Sequence, residues 1–420
     1  MPNSEASKRQ ASMMFILITL FIDILGLGLI IPILPELIKN FTGGSESEAA
    51  RYFALIASSY AVMQFIFAPL LGALSDRFGR RPILLLSLLG LGIDYFILVF
   101  APNLTWLFIG RIIAGLAGAS FTTANAYIAD ISTPQNRAQN FGLVGMAFGL
   151  GFIFGPALGG ILGNIWIRLP FLVAGILSLL NWLYGFFILP ESLSPEKRNS
   201  QIAWKKANPV GSIFLLRNYP LVGGLAIIFI LISLAQRGLE TVWVLYTSYK
   251  FNWSELQNGL ALTLVGVMAA LVQGFLIRLI VPKIGERQAV LLGLSISVFS
   301  FAAYGLATKG WMMLIVIVIS GLSGIAGPAV QSMVAGSVEP QEQGKVQGAL
   351  TSLVSLSSIA APLIFTGGLF AYFTSDAAPF KLPGAPFFVG ALLFLISIFL
   401  MQALFKRYPM LAQQESSKAS

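Results

Sequence analysis

The sequence predicts an all-α integral membrane protein, with twelve transmembrane helices in two six-helix halves. Three observations lead there. Of 420 residues, 56% are hydrophobic and 10% charged, with a mean hydropathy of +0.83. Ordinary soluble domains carry roughly 25% charged residues, so this chain has too little polar surface to coat a water-soluble globule. The apolar residues fall into runs of about 20, the length that crosses a bilayer as a helix, and not into the short alternating strands of a barrel. The chain also repeats itself. Ala114-Gly115-Leu116-Ala117-Gly118 returns as Ser320-Gly321-Leu322-Ser323-Gly324, an offset of 206. The same offset takes Phe78-Gly79-Arg80-Arg81 to Ile284-Gly285-Glu286-Arg287, Gly142 to Gly348 and Pro156 to Pro362.

The elements follow in order. Residues 1–12 read as a cytoplasmic tail. Span 1 (13–35) contains Asp23 and has no small-residue cleavage site, so it is a retained helix and not a signal peptide. Spans 2 to 6 (53–73, 82–101, 104–128, 141–163 and 170–189) complete an N-terminal bundle over 13–189. The only long polar stretch, 190–219, is a cytoplasmic linker. Spans 7 to 12 (220–246, 257–281, 288–307, 311–335, 346–373 and 385–405) form the C-terminal bundle over 220–405, and 406–420 is a second tail. Outside the spans, Lys and Arg favour one side by roughly three to one, which by the positive-inside rule makes both termini cytoplasmic. The formal charge of +9 thus orients the protein and does not signal nucleic acid.

The chain has no Cys and no His. That excludes disulfides, thiolate nucleophiles and Cys-ligated metals, and removes the side chain that titrates near neutrality unperturbed. Proton chemistry must run on carboxylates. No cofactor and no metal is expected. With no phosphate-binding Gly-Lys-Ser/Thr loop, a self-contained ATP-driven pump is excluded and the energy must come from an ion gradient. An enzyme is excluded on the same grounds.

Two motifs stand out. After span 2 comes Gly72-Ala73-Leu74-Ser75-Asp76-Arg77-Phe78-Gly79-Arg80-Arg81-Pro82. Gly72 and Gly79 permit close approach and a tight turn, Asp76 can face a helix N-terminus, and Arg80 can reach a carboxylate, with Asp130 at the end of span 4 the obvious partner. Span 5 carries Gly142, Gly151, Gly155, Pro156, Gly159 and Gly160. Glycines on one face let another helix come close, and the expected neighbour is span 8. The loop resembles the signature of the major facilitator superfamily, and the span 5 series resembles the antiporter signature of its proton-coupled drug exporters. Phe21-Ile22-Asp23-Ile24-Leu25-Gly26-Leu27-Gly28, Met63-Gln64-Phe65, Asp94-Tyr95 and Phe251-Asn252-Trp253-Ser254 are similar to the tetracycline-resistance exporter branch. The resemblance runs from about residue 13 to 405 and implies drug export in exchange for protons. The chain departs from that branch at Ala269 and Ser297, where tetracycline exporters carry a His and an Asp, which puts tetracycline itself in question as substrate.

Charges inside the membrane are functional candidates by default. At 1.5 Å per residue, Asp23 lies about 15 Å into span 1, near the midplane. Asp94 is similarly deep in span 3. Arg111 is about 10 Å from the outer end of span 4, in a Gly110-Arg111-x3-Gly115 setting that resembles the superfamily's span 4 signature, where Arg is thought to aid proton transfer. Arg237 and Glu240, three apart on one face of span 7, either neutralise each other or leave Glu240 facing Arg111. The proton-coupling candidates are therefore Asp23, Asp94, Arg111 and Glu240. Polar and aromatic candidates for substrate contact are Gln64, Asn125, Tyr127, Arg237, Trp243, Tyr246, Gln273 and Gln331. The conformational latch candidates are Gly72, Asp76, Arg77, Gly79, Arg80 and Asp130.

The function expected is a proton-coupled antiporter that exports a drug-like or amphiphilic small molecule by alternating access. It would work as a monomer in a bacterial inner membrane, with the substrate, protons and membrane lipid as its partners. A proton-coupled symporter importing a small nutrient shares the fold, and the complete glycine series in span 5 argues against it. A non-transporting membrane receptor is the other class, and Asp23 argues against that, because a scaffold has no use for a buried carboxylate.

Overall fold

The computed structural model describes residues 2–118, 120–133, 135–198, 220–338 and 342–408. Among them there is helix and no strand. There are 11 helices long and apolar enough to cross a membrane. One of these, Glu255–Leu306, has 52 residues and turns sharply at Gly285, φ 80° and ψ 159°, so it contains two spans, which makes twelve among the described residues. Spans 1 to 6 are Pro2–Ile30, Glu46–Phe78, Arg80–Phe100, Leu104–Ile131, Arg137–Ile165 and Leu169–Ile188. Span 7 is Pro220–Phe251, spans 8 and 9 share Glu255–Leu306, span 10 is Gly310–Gln331 with its helix continuing to Gly336, span 11 is Val346–Thr374 and span 12 is Ala385–Arg407.

The repeat is written in the backbone as well as in the sequence. Gly79 (φ 107°) and Gly285 (φ 80°) are 206 apart and both take the left-handed turn, a conformation that costs glycine little and other residues much. Gly118 interrupts span 4 between Leu104–Ala117 and Ser120–Ile131. Its counterpart Gly324 lies in a 3-10 turn, Leu322–Ile325, that interrupts span 10. The second half adds π-helical turns at Val272–Leu276 and Pro362–Phe370. Pro156, the counterpart of Pro362, stays within a continuous helix.

Some boundaries differ from expectation. Residues 2–12 continue the helix of span 1 and do not form a separate tail. Span 1 stops at Ile30, before Pro32, and a short amphipathic helix, Leu34–Phe41, buries Leu34, Leu37 and Ile38. Span 2 begins early because Ser45 caps it, accepting the Glu48 N–H, and because Ala49, Ala50 and Ala54 are apolar enough to pack. Most of the expected linker, 199–219, and nearly all of the C-terminal tail, 409–420, lie outside the described residues.

The chain divides into two compact units. The first draws its described residues from Met1–Phe41, Ser59–Asn208 and Ser254–Thr263, the second from Thr42–Ser58, Pro209–Trp253 and Leu264–Ser420. Two segments thus sit with the unit opposite to the one that a cut at the linker assigns. The start of span 8 joins the first unit because Thr263 donates to the Ile153 carbonyl of span 5 at 3.0 Å. The start of span 2 joins the second because Ser58 and Ser47 donate to the Ile359 and Ala371 carbonyls of span 11, each at 2.8 Å. The first unit is centred on Phe15, Ile16, Leu20, Leu84, Tyr127 and Ile128. The second is centred on Leu225, Val290, Leu294, Val330 and Phe394.

Candidate functional site

The loop after span 2 is held by one arginine. Arg80 is buried, 8% exposed. Its Nη1 donates to Ser75 Oγ at 2.6 Å and lies 2.5 Å from Asp76 Oδ1, while its Nε donates to Asp130 Oδ2 at 3.1 Å. The expected contact between Arg80 and Asp130 is present. Asp76, expected at a helix N-terminus, lies beside Arg80 instead. The N-terminus of span 3 is taken by Glu191, whose carboxylate accepts the Arg80 and Arg81 N–H groups at 2.8 and 3.3 Å. An anion there satisfies orphan donors and meets the positive end of the helix dipole. A Cβ on Gly79 would collide with that carboxylate, so glycine is required both by φ and by the close approach. Ser192 donates to Asp130 at 3.0 Å. Gly72 passes close to Thr122, and Arg77 lies over the ring of Phe78. Sequence reasoning missed Glu191. The available signal was an acidic residue ending span 6 on the same side as the loop.

Deeper in the same unit, Asp94 and Arg111 form an ion pair, Asp94 fully buried and Arg111 7% exposed. Spans 3 and 4 form an antiparallel hairpin through Ala101-Pro102-Asn103, with the Asn103 side chain capping the Thr105 and Trp106 N–H groups. Counted outward from this turn the two charges stand at matching depth, and Gly110 leaves room for the Asp94 carboxylate against span 4. The pair is incomplete: Asp94 Oδ1 and Arg111 Nε are buried without hydrogen-bond partners. Glu240 accepts from Arg237 at 2.7 Å, and both side chains are about half exposed, 45% and 42%.

Asp23 of span 1 meets this cluster from another side. Its carboxyl lies beside Ser120, at the start of the second helix of span 4, and its Oδ2 is buried without a partner. Two tyrosines complete the group. Tyr60 of span 2 and Tyr95 of span 3 both lie within electrostatic reach of Asp23, Asp94 and Arg111. Tyr60 accepts from Gln64 Nε2 at 3.4 Å. The Tyr95 hydroxyl is set against Gly26, three residues along span 1 from Asp23, where an added Cβ would lie 2.6 Å from the oxygen. Neither tyrosine nor Ser120 was singled out as a site residue from the sequence.

Span 5 uses its glycines on two faces. Gly151, Gly155 and Gly159 press on span 1, at Ile24 and Leu25, at Gly28, and at the Leu29 backbone. Gly160 meets span 8 instead, at Glu255 and Leu256, and Gly259 of span 8 approaches the Pro156 carbonyl in return. Span 1 is thus the main neighbour of the series, and the contact expected with span 8 rests on Gly160. Gly142 faces open space.

Of the substrate-contact candidates, Tyr127, Trp243 and Tyr246 are buried. Tyr127 donates to the Pro190 carbonyl and Tyr246 to the Tyr304 carbonyl, at 2.9 and 2.7 Å. Trp243 packs edge-on to Tyr304, with its Nε1 unpartnered. Asn125 keeps a buried Oδ1 without a partner. Gln64 is half-buried, and Gln273 is exposed on the π-helical turn. Gln331 is exposed and donates to Gln347 at 3.1 Å.

A doubled six-helix body of membrane-crossing helices, with Asp94 and Arg111 buried in its first copy, is the architecture of a membrane transporter. The model of the Major Facilitator Superfamily matches residues 16–362 and 225–420. The tetracycline resistance protein of class C from Escherichia coli is 39% identical over 391 residues, covering 93% of this chain and 96% of the relative. The class G protein from Vibrio anguillarum is 37% identical over 393 residues, covering 93% and 96%. Among solved structures, the human organic anion transporter MFSD10 (TETRAN) superposes with a TM-score of 0.67 at 26% identity, covering 94% of this chain and 99% of that one. The chain belongs to the Major Facilitator Superfamily, and it is a multi-pass membrane transporter.

Proposed function

We propose that this protein exports a drug-like, amphiphilic small molecule in exchange for protons, by alternating access in a bacterial inner membrane with both termini cytoplasmic. The observation that supports it most is the asymmetry of the repeat. The first unit buries Asp94 and Arg111 and holds Asp23 half-buried, each with a buried atom left free of partners. The same offset of 206 places Phe229, Ser300 and Ile317 at the corresponding positions of the second half. Groups of this kind are costly in a membrane and persist where they do work. The kinship with tetracycline resistance proteins supports export of a drug-like compound. The carboxyls of Asp23 and Asp94 carry the protons, and Arg111 holds the charge of Asp94 in the deprotonated state. Glu240, with Arg237, belongs to the coupling and substrate-facing set on span 7. Gln64, Asn125, Tyr127, Trp243, Tyr246, Gln273 and Gln331 contribute to the substrate path. Gly72, Asp76, Arg77, Gly79, Arg80 and Asp130 form the latch. The protein functions as a lipid-embedded monomer.

The test is proton release from purified protein in weakly buffered detergent, followed with a pH-sensitive dye as compounds are added, tetracycline first. Substrate-driven release that vanishes in Asp23→Asn is expected. Binding of a compound without any proton release would overturn the antiport reading.

A further inference from the structure

We infer that the first half of span 11 carries a hydrogen-bond-accepting face that receives the polar edge of the substrate, and that the substrate is an amphiphile rich in O–H or N–H donors. This deepens the export reading above and rests on it. Gln347, Thr351, Ser355 and Ser358 recur at helical spacing within Gln343–Ala361, so they share one face. Thr351 is exposed and the other three are half-buried. Gln331 of span 10 is exposed beside them, and its Nε2 donates to Gln347 Oε1 at 3.1 Å. Gly348, three residues before Thr351, and Gly327, four before Gln331, have open space where a Cβ would stand. Polar side chains that are accessible within a membrane span face water or a cavity, and not hydrocarbon. Further along the same span the exposed side chains are Leu363 and Ile364, which suit lipid.

The hydroxyls fix what the face can bind. Each donates to the carbonyl four residues back, Thr351 to Gln347, Ser355 to Thr351 and Ser358 to Val354, all at 3.0 Å. A hydroxyl has one proton to give and two lone pairs. With the protons turned inward to the backbone, the row presents acceptors, about one helical turn apart. The Gln331–Gln347 amide pair closes the row at one end. A ligand that satisfies this face brings donors at similar spacing along a stiff edge, with its apolar body elsewhere. The helix itself does not need the hydroxyls. The offset of 206 places Gly145, Gly149 and Phe152 at the matching positions of span 5, which is helical there as well. Ser and Thr bonded back to the preceding turn slightly destabilise a helix. Their presence in one copy only is what a ligand contact accounts for.

The experiment is equilibrium dialysis beside dye-detected proton release, on the purified full-length chain in weakly buffered detergent. Two probes differ in the property at issue. Tetracycline carries a row of phenolic and enolic O–H groups along one edge, and tetraphenylphosphonium is an apolar cation with neither O–H nor N–H. Tetracycline is expected to bind and to release protons. The double substitution Thr351→Val with Ser355→Ala is expected to raise its Kd at least about fivefold, and Ser355→Ala alone at least about twofold. The single variant decides the matter if the double variant does not fold. Any binding of tetraphenylphosphonium should be unmoved by either. Ser357→Ala, at a buried position on another face of the same helix, should leave tetracycline binding unchanged. An unchanged Kd in both face variants, or an equal loss in Ser357→Ala, would overturn the accepting face, while proton release by the parent would keep the export reading. Proton release on tetraphenylphosphonium and none on tetracycline would overturn the donor-rich class and leave export standing. If neither compound binds the parent or releases protons, the export reading fails and the face with it.

Discussion

Asp23 and Asp94 are both mid-membrane carboxylates in the sequence, yet their surroundings separate their roles. Asp23 lies beside Ser120 with one oxygen unpartnered, and Asn fills the same space with one polar atom at each position. Asp23→Asn is therefore expected to express and unfold like the parent and to lose substrate-driven proton release. Release at the parental level from the mutant would remove Asp23 from the mechanism. Arg111 behaves differently, because Asp94 depends on it. Removing one partner of a buried ion pair typically costs about 3–5 kcal/mol, whereas replacing both by apolar groups of similar volume is often close to neutral. Arg111→Met should lower stability by about that amount in denaturant unfolding, and the double substitution Arg111→Met with Asp94→Leu should recover most of it. Equal destabilisation of single and double variants would count against the pair. Each charge was legible alone from its depth in an apolar run. Their pairing was hidden because the residues are 17 apart on separate helices, although counting outward from the Pro102 turn brings them level. The pair of Arg237 and Glu240 was legible because helical spacing alone creates it.

Span 5 shows why a motif read as a string can name the right residues and only one of their two neighbours. Glycine spacing says that a helix comes close, and it does not say which one. Gly155 lies Cα to Cα against Gly28 of span 1, and Gly160 against the backbone of span 8. Overpacking a close helix contact costs about 1–3 kcal/mol, which in a two-state equilibrium amounts to roughly 5- to 150-fold. Gly160→Leu is therefore expected to loosen the contact with span 8 and to leak protons into liposomes without substrate. Gly155→Leu should act on the packing of spans 1 and 5, appearing mainly as a lowered unfolding midpoint. Gly142→Ala should do neither, and Pro156→Ala should be milder than either leucine variant. Proton flux into proteoliposomes, run beside thermal unfolding, separates these outcomes. A leak in Gly155→Leu as large as in Gly160→Leu would show that the two faces are not independent.

Across the whole molecule, the repeat was the most legible feature, because a shared offset survives divergence in everything but the turn-forming and close-packed positions. The exchange of segments at the starts of spans 2 and 8 was not legible. It depends on hydroxyl-to-carbonyl bonds from Thr263, Ser58 and Ser47, and such bonds have no sequence period. Glu191 was hidden for a related reason, as its role is to close the N-terminus of span 3 from more than a hundred residues away. The latch predicts a long-range effect. Arg80→Ala leaves Asp76 and Asp130 without their shared cation, and hydrogen bonds to charged groups of this kind contribute about 1.5–3 kcal/mol each. With no native cysteine in the chain, a single Met146→Cys reporter on span 5 is expected to react faster with maleimide in the Arg80→Ala background. An unchanged labelling rate would argue against a latch. The two left-handed turns, at Gly79 and Gly285, have a consequence for how the halves evolve. Both positions are closed to almost every codon change, so the duplicated scaffold stays fixed at its sharpest bends. The positions matching Asp23, Asp94 and Arg111 in the second copy hold ordinary membrane residues, free to drift. A deep mutational scan under drug selection should therefore find tolerance very unequal between sites that descend from one ancestral residue, with new compound ranges arising at the second-copy positions that carry no charge.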